Sequence, residues 1–285
     1  MTTMEKVRKL MDDVQQKVSE DLDFEKIAPF DDECKFGKNG LWLFIGPQGS
    51  GKTHKLLETI LYTELVYGKP YFDNIIFCST SEALDKTLDA FRKKIKTKIE
   101  FVPENKLLDR IKTHIKRKAK FYSMMKFIKS HGQESDDTMV RLAKKHKLYS
   151  VKKTSKYIKK KIEDYGHPAY PAPLLLIIDD FLGSNMLESK MSEMVKLLTK
   201  CRHNNITCII AQQSTKGIGR TVRRLASDCC LWKGFGEDDF MDFTKEFNMS
   251  MGRKELYSIY KNLKSRHDCM IFHSHLDEVE VEFNK

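Results

Sequence analysis

The stretch Leu41-Trp-Leu-Phe-Ile-Gly-Pro-Gln-Gly-Ser-Gly-Lys-Thr53 constrains this chain more than any other. Leu41 to Ile45 is an apolar run that reads as a buried strand. Gly46, Pro47, Gln48, Gly49, Ser50, Gly51, Lys52 and Thr53 then fit G-x-x-x-x-G-K-[ST] at every fixed position. Glycines let the backbone curl so that successive N–H groups point inward at an anion. Lys52 is then placed to reach the β- and γ-phosphates of a nucleoside triphosphate, and the Thr53 hydroxyl to ligate Mg²⁺. A helix starting near Lys52, with Leu56, Leu57, Ile60 and Leu61 on one side, turns its positive end toward the same phosphates. Strand, loop and amphipathic helix follow in the order the motif requires, which a chance glycine-rich turn does not supply.

A second fixed point is Leu174-Leu-Leu-Ile-Ile-Asp179-Asp180, five apolar residues ending in two acids. Downstream of a phosphate loop, Asp179 is expected to hold the metal and Asp180 to polarise an attacking water. The next apolar run, Ile206 to Ala211, ends in Gln212-Gln213, and Gln213 is in position to touch both the γ-phosphate and that water. Further strands are expected at 74–79, 99–102, 228–233 and 268–273, and helices at 82–94, 237–247 and 253–262. Another helix is expected to carry Met191, Met194, Val195, Leu197 and Leu198 on its core side. Residues 214–224 read as a glycine- and arginine-bearing loop. His273 and His275 bracket Ser274 on the last strand; solvated edge histidines are the expected reading and metal binding the alternative.

The phosphate-loop strand and the acid-tipped strand are separated in sequence by another strand. The fold expected is therefore α/β, a P-loop NTPase of the additional-strand (ASCE) class. Its central sheet is mostly parallel, flanked by helices, with the phosphate-loop strand in the middle. Residues 1–37 form an N-terminal amphipathic helix and a linker, and 38–285 the core. The core is interrupted over 104–170 by a helical insertion that ends in a proline-rich hinge, Gly166 to Pro173.

Charge separates this insertion from the rest. The chain carries a net +11, yet Lys106 to Lys161 holds 19 Lys and Arg against 4 Asp and Glu, a local +15. The remainder is therefore mildly acidic, and one segment carries the basic character. That points to a polyanion as partner, with Lys116, Arg117, Lys118 and Lys120 as the densest run. Lysine-rich, sequence-blind charge suits duplex phosphates better than stacking on single strands, because few aromatics are interleaved. Seven scattered cysteines without a C-x-x-C pair suggest a reducing compartment and no structural zinc. No apolar run approaches the roughly 20 residues that span a bilayer, and residues 1–10 lack the apolar stretch of a secretory signal.

Four blocks together resemble the genome-packaging ATPases of large DNA viruses, the poxvirus type, within the FtsK–HerA superfamily. They are Gly46–Thr53, the strand 175–180, Arg202-His203-Asn204-Asn205 with the strand after it, and Gln213 with the arginine-bearing loop. The resemblance covers about 40–105 and 172–275. It implies an ATPase with ATP and Mg²⁺ at the site, Asp180 as catalytic acid and Gln213 as sensor. It also implies an arginine finger reaching a neighbouring subunit, for which Arg202 is the first candidate and Arg223 and Arg224 the alternatives. The superfamily usually has Glu where this chain has Asp180. The implied work is translocation of double-stranded DNA into a capsid by a homo-oligomeric ring, pentameric or hexameric, at a portal or vertex. The implied place is the host-cell cytoplasm, a viral factory or the virion. Two other functions fit parts of the sequence: a DNA-remodelling ATPase such as a helicase loader or transposition helper, and a small-molecule kinase with the insertion as lid.

Overall fold

A computed structural model describes residues 40–66, 72, 74–79, 95, 97–131, 173–181 and 186–283. The expected N-terminal helix, the helix at 82–94 and the insertion beyond residue 131 lie outside these. The chain forms two compact units, residues 1–105 with 173–285, and residues 106–172.

The first unit is built on an eight-stranded sheet. Its strands are β1 (Leu41–Ile45), β2 (Asn74–Ser79), β3 (Ile99–Phe101), β4 (Leu174–Asp179), β5 (Ile206–Gln212), β6 (Ala226–Trp232), β7 (Cys269–His273) and β8 (Glu278–Glu282). They lie in the order β3-β2-β4-β5-β1-β6-β7-β8. All pairs from β3 through β6 are parallel, and β7 and β8 join antiparallel. Every residue of β1, β4, β5 and β6 is buried, as expected of parallel strands covered on both faces, which is why they read as unbroken apolar runs. β5 sits between β1 and β4, the arrangement expected of the additional-strand class.

The register sets the site. Ile45 pairs with Gln212, Asp179 with Ala211, and Ser79 with Asp179. The C-terminal tips of β1, β2, β4 and β5 therefore share one edge. β1 runs straight through the phosphate loop into α1 (Lys52–Val66). Leu56, Leu57, Ile60 and Leu61 of α1 pack with Phe44, Ile177, Ala211 and Trp232 in one core cluster. This fixes which sheet face lies under the phosphate loop, and period-2 alternation puts Asp179 on the same face as Ile177.

Among the described residues four helices follow the acid-tipped strand: α3 (Glu193–Leu198), α4 (Arg220–Leu225), α5 (Glu237–Thr244) and α6 (Arg253–Lys261). Three expectations need correction here. Met191 is 68% exposed, because α3 begins only at Glu193, where Ser192 caps it by accepting from Val195 N at 3.1 Å. Residues 220–225, expected as loop, form the short helix α4. The sheet also continues past the expected last strand into β8.

In the second unit the described part is α2 (Glu104–His131), whose first two residues belong to the first unit. Leu107, Ile111 and His114 are buried at helical spacing, while Lys112 and Lys116 are exposed. The six described cysteines are free and buried. Among the described residues no helix is long and apolar enough to cross a membrane.

Candidate active site

Gly49 and Gly51 adopt φ of 72° and 101°, the left-handed region that a side chain disfavours. Gly46 is required for a different reason. A Cβ there would lie 2.6 Å from Trp232 Cβ and 2.7 Å from Ser50 Oγ. Trp232, at the tip of β6, thus forms a wall against the loop. The Lys52 ammonium donates to Gly46 O at 2.6 Å and Pro47 O at 2.9 Å, so it rests on the loop's own carbonyls. Burial lowers the Lys52 pKa, while Asp179 and Asp180 pull it back up. The Ser50 hydroxyl is buried inside the loop without a hydrogen-bond partner among the described residues. That donor matches an anion seated in the loop.

Asp179 is pushed up to about 6, first by burial and then by Asp180, against the opposing pull of Lys52 and of a hydrogen bond from Ser79. Ser79 Oγ donates to Asp179 Oδ2 at 3.4 Å. Two adjacent carboxylates with one nearby ammonium leave negative charge uncompensated. The Asp179 carboxylate and, by the spacing of the phosphate-loop motif, the Thr53 hydroxyl are oxygen donors of the kind that suits Mg²⁺. Asp180 has φ 57°, and its N–H bonds to Ala211 O at 2.9 Å. This left-handed turn swings the second acid out of the strand alternation. Gln213 Nε2 then donates to Asp180 Oδ2 at 2.7 Å. Lys52, Asp179, Asp180 and Gln213 therefore meet at one edge of the sheet.

The arginines are placed differently. Arg202 is exposed in the turn before β5, whose residue Ile206 pairs with Leu174, the first residue of β4. It lies at the opposite edge of the sheet from Gln212, roughly 20 Å away at ~3.3 Å per strand residue. Arg223 is nearly buried: Nη1 donates to Asp242 O at 2.9 Å, and the guanidinium lies 5.7 Å from the Phe243 ring centroid. Arg224 pairs with Glu246, as does Arg220 at 3.7 Å. The arginines of α4 thus bind groups of their own subunit. Of the expected nucleic-acid contacts, Lys116 is exposed on α2. The side chains of Arg117, Lys118 and Lys120 lie outside the described residues.

His273 is not a solvated edge residue. It is 1% exposed, and its Nδ1 lies 2.8 Å from Asp228 Oδ1, because β8 covers β7. His275 Nδ1 lies 3.6 Å from the same oxygen. No group of three or more His, Cys, Asp or Glu suited to a metal occurs among the described residues.

Four further residues lie beside the loop without a motif to mark them in the sequence. His54 follows Thr53 directly, and burial, then Lys55, lowers it to about 4 against the pull of Glu282, so its ring is neutral near pH 7. Trp232 closes on Gly46 and Gly51. Arg266 and His267 reach the loop from the turn between α6 and β7. No spacing in the sequence joins positions 46–54 to 266–267; only the antiparallel return of β7 does.

Residues 135–273 match a family model described as Poxvirus A32 protein. No curated protein matches the chain. Among solved structures, the chain is similar to B204, the DNA-packaging ATPase from Sulfolobus Turreted Icosahedral Virus, with 12% identity, 86% of this chain and 98% of that chain covered, and a TM-score of 0.50. It is also similar to the genome packaging NTPase B204 of Sulfolobus turreted icosahedral virus 2 in complex with AMPPCP, with 12% identity, 87% and 98% coverage, and a TM-score of 0.49. A third, at a TM-score of 0.39, is the cytoplasmic domain of the Thermomonospora curvata Type VII secretion ATPase EccC, 15% identical over 82% of this chain and 24% of that one. The first of these shares the fold. The phosphate loop, the paired acids and the glutamine are thus gathered at one edge of a fold shared with a DNA-packaging ATPase, and residues 135–273 of the chain are similar to the Poxvirus A32 protein family.

Proposed function

We propose that the protein hydrolyses ATP with Mg²⁺ and couples hydrolysis to the movement of double-stranded DNA into a capsid. The observation that carries the ATPase half is the Gln213–Asp180 bond at the edge where Lys52 and Asp179 converge. Lys52 leaves the carbonyls of Gly46 and Pro47 to take the β- and γ-phosphates. Gln213 holds the Asp180 carboxylate, which accepts the proton of a water attacking the γ-phosphate. Mg²⁺, held by Thr53 and Asp179, would neutralise charge developing on the phosphates.

The coupling half rests on the +15 of Lys106–Lys161. Charge of that density on lysines supports phosphate-backbone contact without sequence preference. Arg202 lies too far from its own subunit's acids to serve them, which supports a homo-oligomeric ring, pentameric or hexameric, in which it serves a neighbour. A capsid portal or vertex as docking partner, and a viral factory in the host cytoplasm as the place of action, follow from the packaging role.

The test is ATPase activity of the intact oligomer with and without duplex DNA, at 50 and 200 mM salt. Stimulation is expected, with affinity falling by about 10³-fold or more if about six or more phosphates are contacted. Replacing Lys116, Arg117, Lys118 and Lys120 with Gln should flatten the salt slope and cut the stimulation. A kinase with a lid would instead lose basal turnover on those changes and ignore DNA. A helicase loader or transposition helper would hydrolyse ATP with DNA yet fail to translocate it in a triplex-displacement assay.

A further inference from the structure

We infer that Arg266 and His267 form the nucleoside-side wall of the ATP site and hold the α-phosphate and nucleoside from within the same subunit. The inference rests on the reading of the phosphate loop as an ATP site and deepens it.

Sheet order gives the bound molecule a direction. The acids on β4 and the glutamine after β5 lie to one side of β1. The γ-phosphate must face them, because water is activated there. The rest of the molecule then runs toward the other side of β1, where β6 and β7 follow. β7 is antiparallel and begins at Cys269, which pairs with Trp232 at the tip of β6. The turn before β7 therefore stands at the same sheet edge as the phosphate loop.

Two basic side chains of that turn face the loop. A Cβ on Gly49 would lie 3.9 Å from Arg266 Nη1, and one on Gly51 would lie 3.9 Å from His267 Nδ1 and 3.8 Å from Trp232 Nε1. Neither approach is left to a floppy loop. Asp268, 2% exposed, accepts from Lys264 N and Ser265 N, each at 2.8 Å. Lys233 N donates to Asp268 O at 3.1 Å, and the Lys233 ammonium donates to Leu263 O. Tyr260 Oη donates to Trp232 O at 2.7 Å and accepts from Phe235 N at 3.1 Å. The turn is thus bolted to β6 at both ends.

Arg266 Nε contacts His267 Nε2 at 3.2 Å, and among the described residues no carboxylate pairs with Arg266. Its exposed guanidinium retains donors directed at the loop's mouth, the chemistry that takes a phosphate oxygen bidentately.

The experiment compares ATP with inorganic pyrophosphate, which fills the loop but does not reach the wall. Arg266→Ala should weaken ATP binding about tenfold or more, the usual loss for a charge-assisted bond, and raise KM with kcat at saturation within about twofold. Inhibition by pyrophosphate should stay within about twofold of the unaltered protein. Arg266→Lys should recover part of the ATP affinity. His267→Ala should act in the same sense, more weakly, and thermal melts should show both variants folded. Unchanged ATP affinity, or equal loss for ATP and pyrophosphate, would overturn the inference. Lys52→Ala run beside them separates this from the underlying reading. If Lys52→Ala still binds ATP, the ATP site itself is misplaced; if it does not and Arg266→Ala binds normally, only the wall is wrong.

Discussion

Lys52 and Asp180 are each held in a pose that separates binding from chemistry. Lys52 has two carbonyls to give up before it can take phosphate. Lys52→Ala is therefore expected to lose nucleotide binding, measured by titration with a fluorescent ATP analogue. Asp180 sits at φ 57°, where Asn is tolerated almost as well as Asp. Asp180→Asn should keep the backbone and the nucleotide but lose roughly 10² to 10⁴ in kcat, the range for a lost general base. A near-normal kcat for it would remove Asp180 from the chemistry. Gly219 shows a purely spatial demand, since its φ is an ordinary −62° but a Cβ would meet Glu188 O at 2.4 Å. Gly219→Ala is expected to cost about 1–3 kcal/mol in a denaturant melt, as overpacking against backbone does. The residues legible in the sequence were those whose type is tied to a fixed spacing: Gly46 to Thr53, Asp179, Asp180 and Gln213. Arg266 and His267 were not, because a lone basic turn residue carries no spacing signal until the strands are paired.

At the scale of elements, the phosphate-loop helix is tied to the end of the sheet. Lys55 of α1 reaches Glu282 of β8 at 2.5 Å and Glu58 at 3.5 Å, with Lys55 and Glu58 side chains 6% exposed. One ammonium cannot satisfy two carboxylates in a site this dry. Burial would lower Lys55, but Glu58 and Glu282 hold it above its ordinary value. Burial raises Glu58 to about 7 against the pull of Lys55, so it keeps its proton well above the usual carboxylate range. The folded state then binds more protons than the unfolded chain between the ordinary value of 4.5 and about 7. This contribution to stability is full below that window and is lost as pH rises through it. Asp179 acts in the same sense and His54 in the opposite one. The Glu58 share is therefore read as a difference. Glu58→Gln should match the parent Tm at pH 5 and exceed it by about 2 °C or more at pH 8. Equal melting curves at both pH values would place the proton elsewhere. β8 and α4 escaped the sequence reading for a physical reason. Each is only five or six residues long, and their stability comes from tertiary pairing that local periodicity does not reveal.

Over the whole molecule, sheet topology puts Arg202 and the paired acids at opposite edges. A subunit cannot use its own Arg202 on its own γ-phosphate. Arg202→Ala should bind ATP normally and lose on the order of 10³-fold in kcat. Mixing it with Lys52→Ala should restore part of the activity, because one complete site can form across a mixed interface. Absence of rescue, with turnover independent of protein concentration, would point to a site complete in one subunit. That these strands are central was legible because each parallel strand is buried on both faces and so reads as an unbroken apolar run; their order beside one another was not. The antiparallel return through β7 to β8 was read only halfway. β8 bears Glu278, Glu280 and Glu282 in alternation with Val279 and Val281, and it is the outermost strand on its side. Among the described residues it ends the sheet on that side, and acidic residues at alternate positions of an outermost strand work against pairing with the same strand of another copy, a common guard against runaway strand addition. Copies of the chain would therefore resist zipping into a continuous intermolecular sheet there, and contacts between copies would fall to helices and loops.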